Sequence, residues 1–530
     1  MRMLSRPALP AGGWRAAAAA SVRGTIAAAR EHLLLTVLLA AGLALRVLAQ
    51  IAYRPAIFYI DSIKYLLGAY PGNDPPGYQL LLKPLLAVSN PAVMAAVQHL
   101  LGLGMAVALY LLLLRRGARR WLAALAVAPV LLDAYQLQVE QSMMPDVWFE
   151  ALLVTGLAAL LWRPRPERWM VITAGLALGG SAAFRQVGEI LVLPALVYVI
   201  FATPGWRHRA AQAVVLCAAF ALPILTASYS NFLTMKHFGL APYAASTVYG
   251  RVAEVADCGK LVLPSYERPL CPDPKQKRLG PDGLDHAAGS PIKSYVPPPG
   301  MRGHNMMVDF ARRVVVQQPL GVISAIARDA AKMFAVQRVT SRGDTPISRW
   351  QFQAGYPQYP PYVTVHGGQV VFAQLTPLGM VHVLGTAQRF GGGGPVAVAP
   401  LARFLRAYQL DGGYTPGPLL LFSVLAGLAA SLSLLSRRLS PAARHSAVGC
   451  LVIFSSAVVL LIASDAFEFS WRYQLPTVVT LPPAAALAVA TALARRGHGA
   501  VSAGQPAGRP ASAVGGPPAD GGQRDRAAAS

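Results

Sequence analysis

The chain has 530 residues, 54% of them hydrophobic and only 13% charged, where soluble domains run at roughly 45–50% and about 25%. That balance excludes a single water-soluble globule. Lysine and arginine number 47 against 23 aspartate and glutamate, a net charge of +24; such a surplus suits nucleic acid, or a membrane protein whose basic residues fall in alternate loops.

Residues 1–31 form a basic, Ala-rich segment containing Arg2, Arg6, Arg15, Arg23 and Arg30. The apolar run that follows, 32–51, lacks an A-x-A cleavage pattern and reads as an uncleaved anchor. Six more runs follow at 92–114, 121–137, 146–162, 169–184, 187–203 and 210–231, and three at 415–435, 443–464 and 474–494. Each approaches the roughly 20 residues that a bilayer core requires. With the N-terminus cytoplasmic, the loops that fall inside are RRGARR (115–120), RPRPER (163–168), PGWRHR (204–209), SRRLSPAAR (436–444) and ARRGHG (494–499), all Arg-rich. The loops on the opposite side hold Asp61, Asp74, Glu140, Asp146, Asp465 and Glu468. Topology thus accounts for most of the positive charge, and no nucleic-acid partner is expected.

The expected architecture is an all-α polytopic membrane protein of about ten transmembrane helices with a mixed extracytoplasmic insert between helices 7 and 8. Its parts are a cytoplasmic N-terminus (1–31), seven core helices (32–231) with a long first outer loop (52–91), the insert (232–414), three further helices (415–494) and a Gly/Ala/Pro/Ser-rich cytoplasmic tail (495–530) expected to be disordered. Within the insert, 305–336 has helical periodicity broken at Pro319, and 399–410 reads as an amphipathic helix. Cys217 and Cys450 lie in apolar runs, where a thiol acts as a small hydrophobe. Cys258 and Cys271, in a polar stretch of the insert, either close one disulfide loop in an oxidising compartment or remain two free thiols. No Walker loop, GxGxxG, HExxH or CxxC is present, and no metal or other cofactor is assigned.

The first outer loop is amphipathic and reads as short interfacial helices. Asp61 stands there among apolar neighbours, as a general base or as a cap for the turn at Ser62. Asp74, in NDPPGY, reads first as a turn residue. Glu140 and Asp146 fall in the second outer loop, Asp146 in the first turn of the next helix, where the dipole accommodates it. Arg185 and Arg472 break the topological pattern, each a lone cation in a tight outer turn. Their partners are either Glu189 and Glu468 respectively, or a phosphate that a guanidinium grips with paired donors. Arg46, inside the first run, either adds to these or snorkels.

Asp61 followed four on by Tyr65, then PPGYQLLLKPLL, QHLLGLGMAVALYLLLLRR, GLALGGSAAFRQVGEILVLPAL and a late RYQLP together resemble the GT-C membrane glycosyltransferases. The bacterial relatives of protein mannosyltransferases and of aminoarabinose or arabinofuranosyl transferases are the most similar, and the long insert resembles that of actinobacterial members. The resemblance implies a multi-pass plasma-membrane enzyme of a bacterium, both termini cytoplasmic, that moves a sugar from a polyprenyl-phosphate donor to a cell-envelope acceptor. It implies a base at Asp61 and lipid-phosphate binding at Arg185 and Arg472; Asp74, Glu140 and Asp146, also on the acidic side, are secondary acidic or acceptor-site candidates. Ser62 stands where many members have a second acid, and Asp74 where many have histidine. A transporter is the runner-up reading and requires ionisable residues at mid-membrane depth; a non-catalytic envelope scaffold is the third.

Overall fold

The computed structural model describes residues 27, 29–375 and 380–503, so the extreme N-terminus and the end of the tail lie outside the described residues. All ten apolar runs are helical: α1 (Leu33–Ala52), α4 (Pro91–Arg115), α5 (Arg120–Leu132) continued by α6 (Ala134–Glu140), α7 (Asp146–Leu161), α8 (Arg168–Phe184), α9 (Val192–Ala202), α10 (Trp206–Met235), α16 (Gly417–Ser433), α17 (Pro441–Asp465) and α18 (Leu475–Ala503). Among the described residues five of these are long and apolar enough to cross a membrane, or six if the bent pair α5–α6 is one span. Two further runs, Gln186–Ala202 and Gly417–Ser433, form shorter apolar helices, and the chain is a multi-pass membrane protein.

Local chemistry sets several boundaries. Asn90 caps α4, accepting from the N–H groups of Ala92 and Val93, with Pro91 as the first helical residue. Ser440 and Pro441 begin α17 in the same way. Helices α8 and α10 approach closely at Gly179, where an added Cβ would lie 2.0 Å from the Phe220 carbonyl oxygen. Only glycine permits that contact.

The junction of α5 and α6 bends by 53°. Asp133 ends α5 and caps α6, accepting from Tyr135 N–H at 2.9 Å, while Ala134 N–H donates to the Gly413 carbonyl at 2.7 Å. The bend deprives the carbonyls of Val130 and Leu131 of their helical donors. Buried Arg46 supplies replacements, through Nη2 to Val130 at 3.0 Å and Nη1 to Leu131 at 2.9 Å. The guanidinium therefore does not snorkel: it completes the backbone hydrogen bonding of a broken helix.

The basic loops lie together at one end of the bundle. Arg116 donates to the Leu161 carbonyl at 2.7 Å and the Tyr198 hydroxyl at 3.1 Å, and His445 meets the Arg115 carbonyl at 3.1 Å. At the opposite end the first outer loop carries strand β1 (Tyr53–Arg54) and two short helices, α2 (Ser62–Leu67) and α3 (Gly77–Val88). The insert rests on this end. It comprises α11 (Ala245–Val255), α12 (Gly280–His286), α13 (Gly303–Gln317), α14 (Pro319–Lys332), the strands β2 (Val363–His366), β3 (Gln369–Leu375), β4 (Val381–Thr386) and β5 (Val396–Ala397), and α15 (Ala399–Leu410). The expected break falls at Pro319, the first residue of α14.

Two packing centres hold the insert. Tyr249, Leu284, Phe310 and Val314 form one, flanked by the bonded pair Cys258–Cys271, whose Cα atoms are 6.1 Å apart. The antiparallel meander β2-β3-β4 forms the other. Its first turn uses Gly367 and Gly368, both at positive φ, as a two-residue hairpin requires. Phe372 of β3 meets Phe58 of the first outer loop edge-on at 5.5 Å, and β5 pairs with β1 through Tyr53↔Ala397 and Arg54↔Val396. The insert and the first outer loop thus share one core at the acidic end of the bundle.

Candidate active site

The first and second outer loops are stitched together by backbone. Ile57 N–H donates to the Gln141 carbonyl and Met143 N–H to the Ile57 carbonyl, each at 2.9 Å. Ser62 adds a side-chain tie: its hydroxyl accepts from Tyr59 N–H at 2.9 Å and donates to the Met143 carbonyl at 3.1 Å. Residues 57–62 and 141–146 therefore run side by side, which brings Asp61 and Asp146 to one guanidinium.

That guanidinium belongs to Arg472, in the turn between α17 and α18. Its Nη1 donates to Asp61 Oδ2 at 2.8 Å, and its Nε lies 3.0 Å from both carboxylate oxygens of Asp146. Arg185, in the turn after α8, pairs with Asp146 as well, through Oδ1. The expected short-range partners are corrected: Arg185 pairs with Asp146 and not Glu189, and Arg472 with Asp146 and Asp61 and not Glu468. The facing loops present the two carboxylates that these guanidinium groups reach.

Asp61 makes no capping hydrogen bond at the start of α2, so the cap explanation fails. Its Oδ1 instead meets Lys64 Nζ at 3.1 Å, and the same ammonium reaches Asp74 Oδ2 at 2.8 Å. Asp74 is therefore an ion-pair partner as well as a turn residue. Burial works to raise the Asp61 carboxyl, but Lys64 and Arg472 outweigh it and hold the group well below the usual carboxylate range. In direct ion pairs three carboxylates, Asp61, Asp74 and Asp146, meet three cations, Lys64, Arg185 and Arg472, with Arg349 a further cation near Asp61 and Tyr59.

Aromatic rings close the site. Trp350, from the insert, lies 4.4 Å from the ring of Tyr59 and 5.1 Å from the Arg472 guanidinium. The Arg185 guanidinium stands over Tyr473 at 4.4 Å. Glu468, on the same turn as Arg472, is pushed up to about 8, by burial first and then by Asp282, Asp285 and Asp61.

Glu140 does not join this cluster. Its carboxylate is fully buried at the end of α6, bonded to Arg46 at 2.8 Å and to His99 at 2.9 Å. As an acceptor-site candidate it is corrected to a structural group, because the bend at Asp133 turns α6 back into the protein. Gly102 makes room for it: a Cβ there would lie 2.2 Å from Glu140 Oε1. Among the described residues no group of three or more His, Cys, Asp or Glu side chains is disposed to hold a metal ion.

Lys64 and Trp350 were not singled out from the sequence. Lys64 had a signal, since it follows Asp61 by three residues, the spacing of neighbours on one helical face. Trp350 had none, because its approach depends on how the insert packs.

A multi-pass helical protein that gathers acids and arginines from four loops at one end is the class that fold and site define. A family model described as dolichyl-phosphate-mannose-protein mannosyltransferase matches residues 64–238, which bears out the resemblance to the GT-C membrane glycosyltransferases. No curated protein matches the sequence. Two solved structures from Archaeoglobus fulgidus are similar. One is the archaeal oligosaccharyltransferase AglB in complex with an inhibitory peptide and a dolichol-phosphate, at 14% identity and a TM-score of 0.41, covering 91% of this chain and 52% of that one. The other is the oligosaccharyltransferase tethered by a disulfide to an acceptor peptide containing the NVT sequon, at 14% identity and a TM-score of 0.39, covering 86% of this chain and 49% of that one. The chain spans about half the length of these structures.

Proposed function

We propose that this protein transfers a sugar from a polyprenyl-phosphate donor to a hydroxyl-bearing acceptor of the cell envelope, at the outer face of a bacterial plasma membrane. The observation that carries the reading is the meeting of Asp61, Asp146, Arg185 and Arg472, drawn from four separate loops to one end of the bundle. Asp61 is the base. The acceptor oxygen attacks the anomeric carbon, its proton passes to the Asp61 carboxylate, and the carbon–oxygen bond to the phosphate breaks with its electron pair going to the phosphate. Direct displacement inverts the anomeric centre. The lipid phosphate needs charge stabilisation and not a general acid, which Arg185 and Arg472 supply with paired donors. The family match at residues 64–238 supports the donor class.

Transport has one observation in its favour, the buried Arg46–Glu140–His99 group inside the bundle. Each member is enclosed, at 2%, 0% and 5% exposure, and Arg46 is committed to the carbonyls of the bent helix, so the group acts as structure. The separating experiment follows a radiolabelled sugar from polyprenyl-phosphate sugar into membrane or envelope material, comparing wild-type cells with a deletion strain. Label incorporation that depends on the protein supports transfer. Unchanged incorporation across a panel of polyprenyl-phosphate sugars rejects it.

A further inference from the structure

The resting site opposes the role given to Asp61. Both of its oxygens are occupied, Oδ1 by Lys64 at 3.1 Å and Oδ2 by Arg472 at 2.8 Å, and a carboxylate so stabilised takes a proton poorly. Arg472 is equally engaged, through Nε to Asp146 and through Nη1 to Asp61. A phosphodiester that takes both terminal nitrogens of Arg472 must displace Asp61 from Nη1.

The two contacts of Arg472 differ in strength of anchorage. Asp146 offers both oxygens to Nε, is only 3% exposed, and is also held by Arg185. Asp61 offers one oxygen to Nη1, and its side chain is 20% exposed. The contact that yields is therefore the one to Asp61. A guanidinium retained through Nε keeps the edge formed by its two terminal nitrogens for a phosphate. Lys64, itself anchored on Asp74, still holds Asp61 through Oδ1.

Resting on the function proposed above, we propose that the donor phosphate takes Arg472 Nη1 from Asp61, so that Asp61 becomes a competent base only when donor is bound. The oxygen released, Oδ2, is the one that receives the acceptor's proton, and the negative charge gained by the departing phosphate is met by Arg185 and by the Arg472 edge that Asp61 gave up. Arg472 returns to Asp61 when the polyprenyl phosphate leaves. In this scheme Asp61 and the donor compete for one cation.

Competition has an unusual consequence: removing the catalytic carboxylate should tighten donor binding. The test titrates a short-chain polyprenyl monophosphate, with the uncharged polyprenol as control, into purified wild-type protein and into the Asp61→Asn and Asp61→Ala variants, each checked for folding by its melting transition. Binding on the order of tenfold tighter in either folded variant, about 1.4 kcal/mol, with no change for the polyprenol, supports the exchange. Equal or weaker phosphate binding in the folded variants overturns the exchange while leaving the enzyme reading intact. Failure of the wild-type protein to distinguish the phosphate from the polyprenol overturns the functional reading itself.

Discussion

Asp146 is held by two guanidinium groups, and this makes the site asymmetric to mutation. Arg185→Gln leaves Asp146 on Arg472, whereas Asp146→Asn leaves buried Arg472 and part-buried Arg185 without their shared anion. Stripping the partner from a buried charge costs about 3–5 kcal/mol, so Asp146→Asn should lower the melting temperature well beyond Arg185→Gln. Equal losses would show that Asp146 is not the anchor. Arg472→Lys keeps the charge but loses the paired donors, and donor affinity should fall about ten- to hundredfold with the fold retained, measured by the same phosphate titration. Glu468 provides a pH test. Its folded pKa lies near 8, so the folded protein keeps a proton that the unfolded chain releases above about 4.3; stability therefore falls as pH rises between those values. Glu468→Gln removes that fall, and its melting temperature should exceed the wild-type value at pH 8–9 and match it at pH 4. At this scale Asp61, Asp146, Arg185 and Arg472 were all legible, because a lone charge in an apolar turn stands out. Their pairing was not, because the partners lie 39, 326 and 411 residues apart, and separations of that size leave no local pattern.

The element that shapes the interior is the bent pair α5–α6. Its bend exposes two carbonyls, Arg46 satisfies them, and Glu140, itself held by His99, balances the buried cation. Gly102 is the space in which the carboxylate sits. Gly102→Ala should therefore displace Glu140 and destabilise the protein by about 2–4 kcal/mol, seen as an earlier unfolding transition in detergent, with Gly104→Ala as control, since an added Cβ there meets nothing within 4 Å. A neutral effect of Gly102→Ala would mean that the buried pair is not under packing constraint. The ten helical runs were readable from hydropathy, since a chain in lipid must satisfy its backbone within each segment. The bend was not readable: 121–137 passes as one apolar run, and only the cap at Asp133, the Gly413 carbonyl that accepts from Ala134 N–H and the donors from Arg46 reveal the break. Pro319, by contrast, announced its break directly, because a missing N–H is a property of the residue itself.

For the molecule as a whole, the basic loops and the acidic cluster occupy opposite ends of the bundle, and the insert covers the acidic end. On the positive-inside pattern we propose that the insert lies outside the cell. A cysteine introduced at exposed Val262 in the insert should react with an impermeant maleimide in intact cells, and one at exposed Leu435, beside the basic loops, only after permeabilisation. The reverse pattern would invert the orientation and move the site to the cytoplasm. The helical character of the apolar runs was legible because long apolar runs and polar stretches alternate plainly. The contact between insert and site was not, since it depends on packing such as Phe58 against Phe372 and Trp350 against Tyr59.

The most direct measurement of the central claim is sugar transfer by the purified protein in lipid vesicles, from a labelled polyprenyl-phosphate sugar, comparing wild type with Asp61→Asn. Removing a general base lowers turnover by about 10²–10⁴-fold; that loss, in a variant that still folds and still binds polyprenyl phosphate, is the predicted result. Turnover of Asp61→Asn near the wild-type rate would contradict the assignment of Asp61 as the base.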